Sequence, residues 1–491
     1  MEKRNGLIAA LLLGAILAGL ASTAAASSPS GLIPAAPECV ARTAPVPEGP
    51  AKLISDTVVP GYGGLLHHLV LSAPALYGNG NVNVLLPPKY ASQRHARFHT
   101  LYLLHGSGGL FSDWVDLGDA AKLIAEAYRL DHLPQVITVM PEGGSEGYYT
   151  DWYGKDIDQP AEGTPPGWAT WIINEVVPYV DGHYRTIASR DGRAVAGLSM
   201  GGFGATSLPA RHPDMFSVAG SFSGADDLDL NYPEQNLIED GTTPLFTGAA
   251  PDLCIWGDPL TQRILSEAVD PGYLAPNLAT VHLYMASGNG TPGPYDDTST
   301  PGGLASAEAA GVVESNIRSQ DLGFAAALGA AHVPYTYWYY GDGTHSWPYW
   351  QRDLVHFFPF LVTGWKHPDP VPAAGFSFRS EAASFEIFGW HFSAQRSVDE
   401  FTYLAGVTRH GLTVTGSGNL RVETAALYRA GSRWLLRAGG RHVIVTAGRG
   451  GRLLFGIDLG PSHTAGQTTF PTGNTPPAGW ASAKVSIKPA R

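Results

Sequence analysis

Residues 193–205, RAVAGLSMGGFGA, constrain the fold more than any other stretch of this chain. A strand-like run, RAVAG, passes into Gly197-Leu198-Ser199-Met200-Gly201 and then into GGFGATSLPARHP, which has the length of a helix. A serine between glycines, where a strand turns into a helix, requires small neighbours so that the two backbones can approach. That turn puts the hydroxyl at its tip. It also aims the free N–H groups of the helix start at whatever the hydroxyl attacks. Ser199 is therefore the candidate nucleophile, and the chain around it has to supply a sheet with helices packed on it.

The surrounding pattern meets that demand. From 52 to 365, strand-like runs (NVNVLLP, HTLYLLHG, PQVITVMP, FSVAGSFSG, ATVHLYMASG, PYTYWYYG) alternate with helical stretches such as AAKLIAEAYRL and WATWIINEVVPYVDGHY. Alternation of this kind predicts an α/β fold with a mainly parallel central sheet. A proline linker, KHPDPVPAAG at 366–375, follows. Residues 376–491 then change to short alternating runs between glycine turns, which predicts a smaller all-β, sandwich-like domain. Arg and Lys outnumber Asp and Glu in that second domain, although the whole chain of 491 residues carries a net charge of −12. An acidic balance argues against general nucleic-acid binding.

The N-terminal 26 residues read as a secretory signal: Lys3 and Arg4, an apolar run, then Ala24-Ala25-Ala26. Residues 27–51 form a Pro/Ala-rich arm. The expectation is a secreted protein without a later membrane anchor, possible association with the cell wall being left to the basic second domain. In an oxidising compartment the two cysteines, Cys39 and Cys254, are a candidate disulfide.

A serine nucleophile needs a base and an acid. His345, in DGTHSW after the last strand-like run, has the order and setting of the base. For the acid, Asp296, Asp297, Glu308, Glu314 and Asp321 all lie between VHLYMAS and His345. Asp296 and Asp297 are nearest the strand end. The oxyanion hole is assigned to the backbone N–H groups of Met200 and Ser107, the latter in LLHGSGG. Trp114, Tyr148, Tyr149, Trp152, Tyr153 and Trp347 are candidates to line an acyl or sugar cleft. Asp227, Asp229 and Asn231 alternate as calcium ligands do but lack the rest of such a loop. With no zinc or dinucleotide motif, no metal or other cofactor is implied.

Six segments occur in a fixed order: VMPEGGSEGYYTDWY, GLSMGG, DLCIWGDP, ASGNGTP, ESNIRSQDLGF and DGTHSW. Together they resemble the antigen 85 mycolyltransferases and the wider esterase D group. The resemblance implies an α/β-hydrolase fold and acyl transfer through an acyl-serine, with lipids or acylated sugars as substrates. It implies Glu314 as the catalytic acid, with Asp297 in reserve, and Trp347 as the tryptophan after the catalytic His-Ser. Two positions depart from the mycolyltransferases: His105 stands where they carry Asp, and Gly108 where they carry Arg, side chains that help hold trehalose. His105 is kept as a substrate-binding candidate, but the loop has the form of general esterases. Two alternatives stay open, a plain secreted carboxylesterase with water as acceptor, and a non-enzymatic adhesin or wall-binding protein.

Overall fold

The computed structural model of the chain describes residues 39–156, 164–228, 252–258, 261–369, 375–438 and 440–490. The expected signal segment, Asp229, Asn231 and linker residues 370–374 lie outside the described residues. Through the first domain the strands are β1 (Cys39–Ala41), β2 (Lys52–Val58), β3 (Leu66–Ala73), β4 (Gly78–Leu85), β5 (His99–Leu104), β6 (Val136–Pro141), β7 (Gly154–Asp156), β8 (Arg193–Leu198), β9 (Val218–Phe222), β10 (His282–Ser287) and β11 (Tyr335–Tyr339). Nine of them form one sheet in the order β11-β10-β9-β8-β5-β6-β4-β3-β2. Pairings from β11 through to β6 are parallel, and those joining β6, β4, β3 and β2 are antiparallel.

Burial explains which runs became which strands. The central strands β5, β6 and β8 are covered on both faces and read as nearly continuous apolar runs. β3, nearer the edge, alternates buried and half-buried residues. The β2–β3 hairpin extends the sheet beyond the parallel part, and the edge strand KLISDTV is exposed along its length. Helices relevant to the site are α1 (Ala120–Arg129), α2, α3 (Met200–Arg211), α4 (Pro301–Ala330) and α5 (Trp347–Lys366). α2 is continuous from Trp168–Thr170 through a π turn at Trp171–Val176 to Val177–His183. Thr300 caps α4 by accepting from the Gly303 N–H at 3.0 Å, with Pro301 in the first turn, where its missing N–H costs nothing.

The second domain is a sandwich of a six-stranded and a four-stranded antiparallel sheet. Its own core includes Trp390, Phe392, Val414, Val422 and Ile487. Two of its residues, Phe401 and Tyr403, belong instead to the core of the first domain. Tyr403 and Tyr273 hydroxyls meet at 2.6 Å, and the Arg379 guanidinium lies over both rings. The Asn277 side chain accepts from the Arg379 N–H at 2.9 Å and donates to the Arg379 and Ala210 carbonyls at 3.0 and 2.9 Å. Ala210 lies at the C-terminal end of α3. The sandwich therefore grips the end of that helix remote from Ser199.

The N-terminal arm is held by β1, which pairs antiparallel with β7. Cys39 and Cys254 are joined by a disulfide, with Cα atoms 5.3 Å apart and a sequence separation of 215. Closing so long a loop restricts the unfolded chain. Replacing Cys39 with Ser is expected to cost about 2–4 kcal/mol of stability. Calorimetry of the oxidised protein against the variant checks this, and an unchanged melting temperature would remove the disulfide from the stability of the fold.

Candidate active site

Ser199 is placed by close backbone contact on three sides. β8 ends at Leu198 and α3 begins at Met200, so the turn has one residue, Ser199, with φ 53° and ψ −122°. That conformation costs a non-glycine residue about 1–3 kcal/mol and persists only where neighbours over-determine it. A Cβ at Gly197 would lie 2.2 Å from the Gly201 carbonyl oxygen, and one at Gly201 would lie 2.3 Å from the Leu104 carbonyl oxygen. Glycine is thus required at both positions by backbone, which cannot yield as a side chain can. The Ser199 N–H donates to Phe222 O at 3.0 Å, and its own carbonyl accepts from Gly202 and Phe203 at 2.8 and 3.1 Å.

The loop after β5 lies against this turn. A Cβ on Gly106 would be 3.2 Å from the Ser199 Cβ. Gly108 and Gly109 commit their N–H groups to Ser145 O and Gly106 O at 2.8 and 3.1 Å. Among the described residues this leaves the Ser107 N–H without a backbone acceptor, like the Met200 N–H that precedes the first intrahelical bond. His105 shapes the same loop from beneath. Its Nε2 accepts from the Gly143 N–H at 2.9 Å, which leaves Nδ1 to donate to Gly106 O at 2.9 Å. The Tyr149 hydroxyl donates to the His105 carbonyl at 3.1 Å. The expectation of His105 as a substrate contact is corrected accordingly: the ring is 1% exposed, with both nitrogens on backbone.

Glu314 and His345 are brought together by α4 and the loop after β11. His345 Nδ1 lies 2.8 Å from Glu314 Oε2. Glu314 is fully buried, and its Oε1 accepts from the Gly288 N–H at 2.7 Å, the Ser223 hydroxyl at 2.9 Å and the Tyr340 hydroxyl at 3.3 Å. Burial, then the nearby Glu314 charge, pushes the Tyr340 phenol far up, so it stays a donor. With Nδ1 facing the carboxylate, His345 keeps Nε2 as its basic nitrogen. The ring stands edge-on to Trp350, centroids 4.8 Å apart.

Asp296 and Asp297 have other tasks. Asp297 is exposed and accepts from the Ser299 N–H and hydroxyl at 3.0 and 2.6 Å, bonds that hold its carboxyl below the usual range. As reserve acid it is therefore set aside, because it is bonded into the turn before α4 while His345 is bonded to Glu314. Asp296 braces the histidine loop, accepting from the Thr344 and Tyr349 hydroxyls at 2.6 and 2.7 Å. Sequence reasoning missed Ser223, Gly288, Tyr340 and this role of Asp296. Ser223, Gly288 and Tyr340 share one legible signal, their place just past strand ends.

The aromatic candidates divide. Trp347 is half-buried at the start of α5 and stands edge-on to Trp114 at 5.5 Å. Trp114 and Tyr149 are buried as packing, and Tyr148 lies against Trp256. Tyr153 is half-buried, its hydroxyl accepting from Gln262 at 2.7 Å. Trp152, with Trp168, Glu146 and Lys155, lines a cleft of about 240 Å³. The Ser145 wall of that cleft is the segment that accepts from Gly108 in the loop after β5.

A largely parallel sheet, a strained serine turn at the end of a central strand and an acid–histidine pair beyond it define the class: this is an α/β-hydrolase fold. The chain belongs to the Esterase family, described as "Putative esterase", whose model matches residues 73–361. It is similar to the diacylglycerol acyltransferase/mycolyltransferase Ag85B of Mycobacterium leprae, 34% identical over 220 residues, 44% of this chain and 62% of that one. Ag85A of the same organism is 31% identical over 267 residues, 53% of this chain and 74% of that one. Esterase MT1326 of Mycobacterium tuberculosis is 37% identical over 152 residues, 30% of each. The chain thus spans less than two thirds of the first and last of these relatives.

Strain at Ser199 makes a stability prediction independent of activity. Ser199→Gly relieves the left-handed conformation and is expected to raise stability over Ser199→Ala by about 1 kcal/mol. Thermal melts of the two variants compare them directly. A glycine variant less stable than the alanine one would mean the turn is not strained.

Proposed function

We propose that the chain is a secreted serine acyltransferase/esterase acting through an acyl-serine on ester-linked acyl groups of lipids or acylated sugars. The observation that carries this reading is the Glu314–His345 pair in the same fold as the strained Ser199 turn. Ser199 Oγ attacks the ester carbonyl and gives its proton to His345 Nε2. Glu314 holds the imidazole through Nδ1 and stabilises the imidazolium. The N–H groups of Met200 and Ser107 receive the oxyanion. His345 returns the proton to the leaving alcohol, and water or a second alcohol then releases the acyl group by the reverse sequence.

Hydrolysis, or transfer to an acceptor other than trehalose, is favoured over strict trehalose transfer. His105 is buried on backbone, so it offers no carboxylate-like partner to a sugar hydroxyl. Gly108 has φ 68°, where an arginine would be strained. Trp347 and the Trp152 cleft are the proposed walls for the acyl or alcohol part. Export rests on the N-terminal 26 residues and is supported by the Cys39–Cys254 disulfide.

The test is acyl partitioning from a p-nitrophenyl ester, with and without trehalose, glucose or glycerol. Free acid as the main product, abolished in Ser199→Ala, is the expected result. Acylated sugar as the main product would assign a transferase. Equal background turnover by both proteins would refute the acyl-serine reading for these esters and favour a binding protein on the same scaffold.

The second domain is proposed to hold the enzyme at a polyanionic envelope polymer, because Arg433 and Arg437 are exposed on one strand beside exposed Arg441. The full chain is expected to sediment with cell-wall fractions at low salt and to be released by high salt. A chain that stays in the supernatant at low salt would end that proposal.

A further inference from the structure

Behind Glu314 lie two carboxyl groups that the proposed reaction does not use. Asp226 follows β9, and Asp321 sits on α4 seven residues after Glu314, two turns along the same face. Both are fully buried, and the two carboxyls are in contact. Asp226 Oδ1 accepts from the Thr206 hydroxyl of α3 at 2.7 Å. The Ser221 hydroxyl lies beside Asp226. Ser287 on β10 lies beside Asp321 and meets the Tyr337 hydroxyl of β11 at 2.8 Å.

What the pair lacks is a donor for every oxygen. Among the described residues, Asp226 Oδ2 and both oxygens of Asp321 have no N–H or O–H in bonding geometry. The charged group next to Asp321 on its own helix is Glu314, which pushes the Asp321 carboxyl further up, and the Tyr337 phenol facing it stays protonated. The cation on this stretch of α4, Arg318, lies over the Tyr339 ring, 4.8 Å from its centroid. Two ionised carboxylates in contact, out of water and without a cation, repel strongly, and such pairs keep one proton between them.

We propose that Asp226 and Asp321 share one proton, and that this acid–carboxylate bond is the clamp that holds α4, and with it Glu314, against the nucleophile helix α3. Asp226 reaches α3 through Thr206, and Asp321 is part of α4, so the bond spans the two helices that deliver the nucleophile and the acid. Both are positioning residues, acting through Glu314 and Ser199. Burial raises both carboxyls, Asp226 to about 6 and Asp321 well above the usual carboxylate range. A carboxyl raised in the folded state contributes stability that is complete below its unfolded value and is lost as pH rises through its folded value. Loss of the shared proton therefore loosens the site on the alkaline side.

The experiment compares the full chain with Asp321→Asn, which keeps a donor toward Asp226 but has no proton to lose, and with Asp321→Ala, which has neither. Infrared spectra at about pH 8, where free carboxyls are ionised, are expected to show protonated-carboxyl C=O absorption in the wild type that Asp321→Asn lacks. Asp353, also buried and raised to about 8, contributes equally to both spectra and cancels in their difference. The wild-type melting temperature is expected to fall more steeply with rising alkaline pH than that of Asp321→Asn, which keeps only the shared contribution of Asp353. The activity arm rests on the acyl-serine reading: Asp321→Ala is expected to lose about tenfold in kcat with KM little changed, and Asp321→Asn to restore it. Identical acid absorption in wild type and Asp321→Asn, or parallel alkaline melting curves, would overturn the proposal. If the wild type hydrolyses no ester, the spectra and melting curves decide alone, and they also decide if Asp321→Ala does not fold.

Discussion

One close backbone approach is the contact on which the rest depends: the start of α3 pressed against the end of β5. Gly201 sits where any side chain would strike the Leu104 and His105 carbonyls. This contact forces the chain to turn within one residue, and Ser199 takes the strain. The same contact brings the loop after β5 beside the serine, so Ser199 and the loop that carries the proposed oxyanion donor are set by one packing event. His105 completes it by tying that loop to Gly143. The position that departs from the mycolyltransferase pattern is thus structural, with a neutral ring nitrogen accepting where a backbone N–H would otherwise be buried unpaired.

Glu314 plays the corresponding part on the acid side. One carboxylate collects four donors, from the ends of β9 and β10, from Tyr340 beyond β11 and from His345. A buried charge is tolerable only when so paired. The donors in turn fix three loops relative to one helix. Asp296 repeats the arrangement one step further out, locking the residue before His345. The histidine is therefore positioned by carboxylates on two sides, only one of which touches it.

Much of this was legible in the sequence, and the parts that were not have physical reasons. Central strands announced themselves because burial on both faces demands apolar runs, and the serine turn because only glycine fits beside it. His345 followed from order along the chain. The acid did not. Nearness to a strand end pointed to Asp297, which instead bonds into the turn before α4. Glu314 sits mid-helix in a stretch so rich in Ala and Gly that no face stands out, and only resemblance to a family pointed to it. The β2–β3 hairpin was missed because its edge strand, exposed throughout, lacks the alternation that marks a half-buried strand. In the second domain alternation marked the strands, but nothing local showed that Phe401 and Tyr403 pack into the neighbouring core.

That shared packing bears on how the two domains came to be one molecule. Tyr403 and Arg379 are folded into contacts with Tyr273 and Asn277, close to the far end of the nucleophile helix. A first domain cut off after Lys366 would leave an apolar and hydrogen-bonding surface facing water at the far end of the helix that starts at Ser199. The sandwich is thus a fixed part of the molecule rather than cargo on a tether. Its face toward Tyr273 and Asn277 is set by packing, so the sandwich keeps one orientation to the helix that starts at Ser199.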